Sequence, residues 1–185
     1  MTTSTGALLP ARGFDAERDW DARRFLSGLG LAGTYGLALG AHSGPFAMAA
    51  HAAGVPLAFV AVALIGGPAF YVALAHAGVD IGAPALAGSL VRGIGAAGLV
   101  LAGLSPTMFL LAVSCESSVT VALYGVLGLA VGGCLGLRAM FQELERQHQA
   151  AGLRARLPRL AFALFAVVLC SRVWWSTLSV LGGGQ

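Results

Sequence analysis

Nearly all the charged residues of this chain fall in every second gap between long apolar stretches. A water-facing surface has no reason to produce that alternation, and a bilayer imposes it. A hydrocarbon core of about 30 Å takes roughly 20 helical residues at about 1.5 Å each. Residues 25–41, 55–77, 90–113, 118–140 and 158–181 meet that requirement as five candidate crossings. The segment before the first holds Arg12, Arg18, Arg23 and Arg24. The second connection holds Asp80 and leads to Arg92, and the fourth carries Arg138, Arg146, Arg154, Arg156 and Arg159. Between these, residues 40–54 and 182–185 contain no Lys, Arg, Asp or Glu, and the third connection has only Glu116. Basic segments stay on the cytoplasmic side, so the N-terminus is expected in the cytoplasm and the C-terminus outside. Trp174 and Trp175 then fall at the outer interface, where aromatic rings are favoured.

Composition agrees with lipid as the solvent. Hydrophobic residues make up 57% and charged residues only 10% of 185, and the mean hydropathy is +0.82, more apolar than a soluble surface allows. The formal charge of +3 comes from thinly spread arginines, which form no phosphate-tracking stripe, so nucleic acid is not an expected partner. The apolar runs are continuous, without the two-residue alternation of barrel strands. The start of the chain lacks a short apolar core followed by a small-residue cleavage site, so no cleavable signal is expected. The fold expected is all-α: a polytopic membrane helix bundle of about five transmembrane helices in a bacterial inner membrane. It divides into a polar, amphipathic cytoplasmic arm (1–24), the bundle (25–181), a basic cytoplasmic connection within it (141–157) and a tail (182–185).

Local patterns refine this layout. Asp15 with Arg18 and Asp19 with Arg23 are helix-compatible pairs, and Phe14, Trp20 and Phe25 suit headgroups, which predicts an interfacial helix before the first crossing. Pro56, after Gly54 and Val55, predicts a helix break that leaves 46–53 as a short interfacial or re-entrant helix. Pro106 predicts a second irregularity, a kink in the third crossing. Beyond Met140 the spacings of Glu143 with Arg146 and of Glu145 with Gln149 predict an amphipathic extension, stopped near Gly152 before a new start at Pro158.

Gly128, Gly132 and Gly136, spaced by four, make a side-chain-free groove on the fourth crossing, a packing face for a helix of this chain or of a partner. Glu116 and Arg172 lie at matching depth near the outer end and are a candidate intramembrane ion pair, because an unpaired charge at depth costs about 2.5 kcal/mol or more at the bilayer centre. Arg138, Arg146, Arg154, Arg156 and Arg159 are candidates to meet a soluble partner or anionic lipid. Cys115, Cys134 and Cys170 are too scattered for a zinc site, although Cys115 and Cys170 share the outer end and a disulfide between them is an open alternative. His42 and His51 are the candidates for a haem or metal, set against a reading as edge histidines; no cofactor is expected. The chain contains no GxSxG, HExxH, Walker or CxxC pattern, so no catalytic group is assigned.

The runs Gly54-Val55-Pro56-Leu57 and Gly67-Pro68-Ala69-Phe70-Tyr71-Val72, followed by Leu104-Ser105-Pro106 and Gly136-Leu137, resemble a poorly characterised family of small bacterial multipass membrane proteins. The resemblance covers 36–140, and Gly54 stands where the family pattern has a basic residue. It implies a membrane bundle and no particular activity. The function expected is therefore non-catalytic: a membrane scaffold, anchor or subunit of a larger assembly, with a protein partner or a second copy as companion. The alternatives are an oligomeric transporter or channel subunit for a small solute or ion, and a haem-bearing anchor of a redox enzyme.

Overall fold

The computed structural model describes residues 12–147 and 156–182, with side chains over 20–146 and 156–172, and every regular element within them is helical. The order is α1 (Arg12–Gly40), α2 (Pro45–Ala61), a π-helical turn (Val62–Gly66), α3 (Gly67–His76), α4 (Ala83–Ser114), α5 (Ser118–Gln147) and α6 (Arg156–Gly182). Because α2, the π turn and α3 run on as one rod, the chain forms five long helices. Three of them, Pro45–His76, Ala83–Ser114 and Ser118–Arg146, are long and apolar enough to cross a membrane.

From Arg12 onward the N-terminal arm is helical and runs without interruption into the first apolar stretch as α1, with exposed Trp20 under the Arg24 guanidinium at 5.1 Å. One expected boundary is corrected: Pro56 does not break the second helix, since it lies inside α2 and residues 46–53 are its first turns. A proline deprives the carbonyl four residues back of its donor and crowds it, which here concerns Ala52. Gly33 of α1 lies opposite: a Cβ there would come within 3.2 Å of the Ala52 oxygen and 3.7 Å of the Pro56 ring. The space left by that glycine accommodates the proline. The irregularity falls instead at Val62–Gly66, ending at Gly67-Pro68. Pro68 crowds Leu64 in the same way, and a widened turn with one extra residue relieves it. Pro106 likewise lies inside a continuous α4.

Short connections fold the helices back on themselves. Gly44, at φ 96°, precedes Pro45 in the α1–α2 turn. After α3 the chain closes a Schellman motif: Gly78, at φ 73°, donates to the Ala75 carbonyl and Val79 donates to Leu74. The accompanying apolar contact is present, as Val79 and Leu74 are both buried in one cluster. Three residues, Cys115 to Ser117, join α4 to α5; the Ser117 hydroxyl accepts from the Thr120 N–H as an N-cap.

Glycine replaces hydrophobic contrast as the means of packing. In lipid, helices gain little from burying apolar surface against one another, so close backbone approach matters more. Gly28 of α1 meets Gly95 and Gly98 of α4 backbone to backbone, while Gly36 and Gly40 meet His51 and Met48 of α2. The expected stripe on α5 packs within the chain: Gly128 faces Tyr35, Gly132 faces Leu101, and Gly136 faces Gly93 and Ala97. Thus α1, α2, α4 and α5 form one tight block around Ala32, Tyr35, Leu39, Val55, Leu101 and Met108. A second cluster at the other end joins Phe70, Leu74, Ile81, Leu86, Met140, Leu144 and Phe162.

Candidate functional site

The fifth helix is attached differently. Through its described side chains α6 rests on α2, the π turn and α3, and touches α5 near its start. Gly66 in the π turn receives the rings of Phe162 and Phe165, and Phe162 stacks on Phe70 with ring centroids 4.7 Å apart. Near the start of α6, Arg159 pairs with Glu145 and lies over the Phe141 ring at 5.9 Å. Above that joint α5 and α6 diverge around a cavity of about 300 Å³.

The cavity has four walls. Val55, Phe59 and Val62 close the α2 side; Leu90, Ile94 and Ala97 of α4 form the floor. The lips are Val126, Ala130 and Cys134 of α5, and Val167 and Cys170 of α6. Val126 is 44% and Val167 61% exposed, so the cavity opens sideways as a groove between α5 and α6. The lining is aliphatic and aromatic apart from His51, Cys134, Cys170 and Ser171. Among the described residues there is no group of three or more His, Cys, Asp or Glu able to hold a metal ion.

The polar groups that reach between helices act as joints. Buried Tyr35 donates to the Gly125 carbonyl at 3.0 Å, linking α1 to α5. The hydroxyls of Thr34 and Ser105 meet at 3.3 Å, linking α1 to α4. His42 donates from Nδ1 to the Ala112 carbonyl at 3.1 Å, which fixes the α1–α2 turn to the end of α4. His51 is instead buried on α2 beside Gly36 and lines the groove, so the two candidate histidines serve different places.

The candidate ion pair Glu116 and Arg172 does not form: both are exposed, and the described ion pairs lie at the opposite end of the bundle. The described part of α6 packs on α2, the π turn and α3. The pair the sequence reading missed is Arg92 with Glu143, at 2.8 Å between α4 and α5. Its signal was available, since both are charges in otherwise apolar helices at similar distances from the same end. Cys115 and Cys170 are free thiols, so the disulfide alternative is also corrected.

The basic cluster divides. Arg92 and Arg159 are paired, whereas Arg138, Arg146 and Arg156 are exposed and have no ion-pair partner among the described residues. Arg154, Gln149 and Gly152 lie outside the described residues, as do residues 1–11 and 183–185, and so do the side chains of Trp174 and Trp175. Searches against family models, curated proteins and solved structures find no match.

Proposed function

We propose that this chain is a non-catalytic integral membrane protein of a bacterial inner membrane, acting as a scaffold, anchor or subunit of a larger assembly. It crosses five times, with its N-terminus in the cytoplasm and its C-terminus outside. The first apolar stretch of α1 is short, about 16 residues from Phe25 to Gly40, and close packing on α4 and α2 supports its crossing.

The observation that carries the reading is the division among the arginines. Two are consumed in helix–helix joints, and three exposed ones are presented at the same end of the bundle. Unpaired arginines beside a membrane attract acidic protein surfaces or anionic headgroups, each contributing on the order of 1 kcal/mol near a charged surface. The hydrogen-bonding groups within the block are tied into its own joints, which suits a rigid support. A solute path built on Glu116 and Arg172 lacks that support, because the two residues do not come together.

Purification in mild detergent, followed by identification of co-purifying chains, tests the role. A specific companion or a defined self-oligomer is expected, and replacing Arg138, Arg146 and Arg156 with Gln weakens its recovery. A monomer without companions, unchanged by the triple replacement, refutes the scaffold reading. Reporter tags at the two ends must report opposite compartments; the same compartment for both refutes the five crossings.

A further inference from the structure

We infer that the groove between α5 and α6 is a binding site for one acyl chain of an anionic phospholipid, whose headgroup phosphate is held at Arg138. The inference needs the membrane location of the bundle and not the scaffold role.

The groove runs along α5 from Val126 to Met140, about 21 Å at 1.5 Å per residue, with a volume of about 300 Å³. A space that long and thin suits a single flexible chain. One leaflet of a bilayer contributes about 15 Å of hydrocarbon, half of the roughly 30 Å core, so an acyl chain entering at one end occupies most of the groove.

Chemistry identifies the end at which it enters. Val126, Ala130 and Cys134 follow one another at four-residue spacing along the α5 lip, and Arg138 is the next residue of that series. Arg138 is exposed and has no ion-pair partner among the described residues. On the opposite wall Arg159 precedes Phe162 and Ala166 at helical spacing, and its guanidinium bridges to Glu145 and Phe141 of α5, closing the groove beneath. Glu145 offsets Arg159 and Glu143 offsets Arg92; of the arginines at this end without an ion-pair partner among the described residues, Arg138 is the one that continues the α5 lip. A phosphate satisfies it, and a zwitterionic headgroup does so less well because its own cation competes. The lateral opening between Val126 and Val167 lets a lipid enter from the bilayer without leaving it.

Gly133 permits a clean test. It lines the groove, and a Cβ there has no protein atom within 4 Å, so a larger side chain grows into the groove without displacing a helix. The full chain is reconstituted in nanodiscs of equal phosphatidylglycerol and phosphatidylcholine, released, and weighed by native mass spectrometry. The wild-type protein is expected to retain one phospholipid, predominantly phosphatidylglycerol. Gly133→Phe, with helical content unchanged by circular dichroism, loses the adduct, and Val167→Trp, approaching from the exposed α6 lip, does the same. Arg138→Gln keeps an adduct and lowers its phosphatidylglycerol preference about fivefold. Equal retention by wild type and both groove-filling variants overturns the site. An unchanged preference in Arg138→Gln overturns the headgroup assignment, and a mass of two chains abolished by Gly133→Phe assigns the groove to a second copy instead. A failure here leaves companions and end topology untouched, so it is distinguishable from failure of the proposed function.

Discussion

A close backbone approach between α1 and α4 predicts how Gly98→Ala behaves. A Cβ on Gly98 stands 2.8 and 2.9 Å from the carbonyl carbon and Cα of Gly28, and closer still to the carbonyl oxygen. All three are backbone atoms, so no rotamer change removes the clash. Clearing the carbonyl oxygen, the nearest of the three, moves the helices apart by about 1 Å, a gap that forfeits up to half of the dispersion well for each pair across it. If the crossing holds as many atom pairs as two buried leucines, about 100 at 0.1–0.2 kcal/mol, the unrelaxed loss is about 5 kcal/mol or more, and local relaxation brings it toward the ~3 kcal/mol upper end of overpacking costs. Gly103→Ala in the same helix is the control: no atom lies within 4 Å of its Cβ, and replacing a helical glycine there gains about 0.5–1 kcal/mol. Unfolding of the two variants in mixed micelles, followed by circular dichroism against rising dodecyl sulfate, gives the difference. Gly98→Ala within about 0.5 kcal/mol of wild type would refute backbone contact as the basis of the α1–α4 joint.

The same measurement checks three other joints. Tyr35→Phe costs about 1 kcal/mol for the bond to the Gly125 carbonyl, and it softens the effect of Gly128→Ala, whose Cβ otherwise strikes the Tyr35 hydroxyl; additive losses in the double variant refute that contact. Glu143 is 10% exposed and Arg92 45%, so screening limits their coupling to about 1 kcal/mol, read from a double-mutant cycle with Gln at each site, and zero coupling refutes a stabilising pair. Gly66→Leu displaces the rings of Phe162 and Phe165 and releases α6 from α2 while the four-helix block stays folded; maleimide labels Cys170 faster in a background with Ser at Cys115 and Cys134, and an unchanged labelling rate refutes the role of Gly66 as the seat of α6.

The helical class and the packing face on α5 were legible because they are periodic properties of a single segment. Apolar length predicts helices, and Gly128, Gly132 and Gly136 predict a face that something approaches closely. What approaches them was not legible, since Tyr35, Leu101 and Gly93 come from helices whose rotation no local pattern specifies. Pro56 shows the same limit from the other side. Whether a proline breaks a helix depends on the neighbour opposite, and Gly33 lies 23 positions earlier. Matching charges by depth was a sound principle applied at the wrong end: Glu116 and Arg172 do not pair, while Arg92 and Glu143 sit on α4 and α5, which glycine holds together.

The seat of α6 traces back to a local event in the second helix. Pro68 follows two glycines, and the turn before it widens because the proline crowds the carbonyl of Leu64. Widening places Gly66 on the side facing α6, where the absence of a side chain makes a seat for Phe162 and Phe165. Rings seated there hold the first third of α6 against the π turn and α3, and the Arg159 joint holds its start to α5. Beyond these attachments the α5 residues that line the groove, Ala130, Gly133 and Cys134, are small and leave the space unfilled. An empty apolar void of about 300 Å³ at roughly 24 cal/mol per Å³ costs about 7 kcal/mol as an upper bound, comparable to the whole stability of a typical domain. Open to the bilayer through its side, the groove does not stay empty. The proline in α3 and the glycine in the turn thus set the shape of a site whose lips are on two other helices.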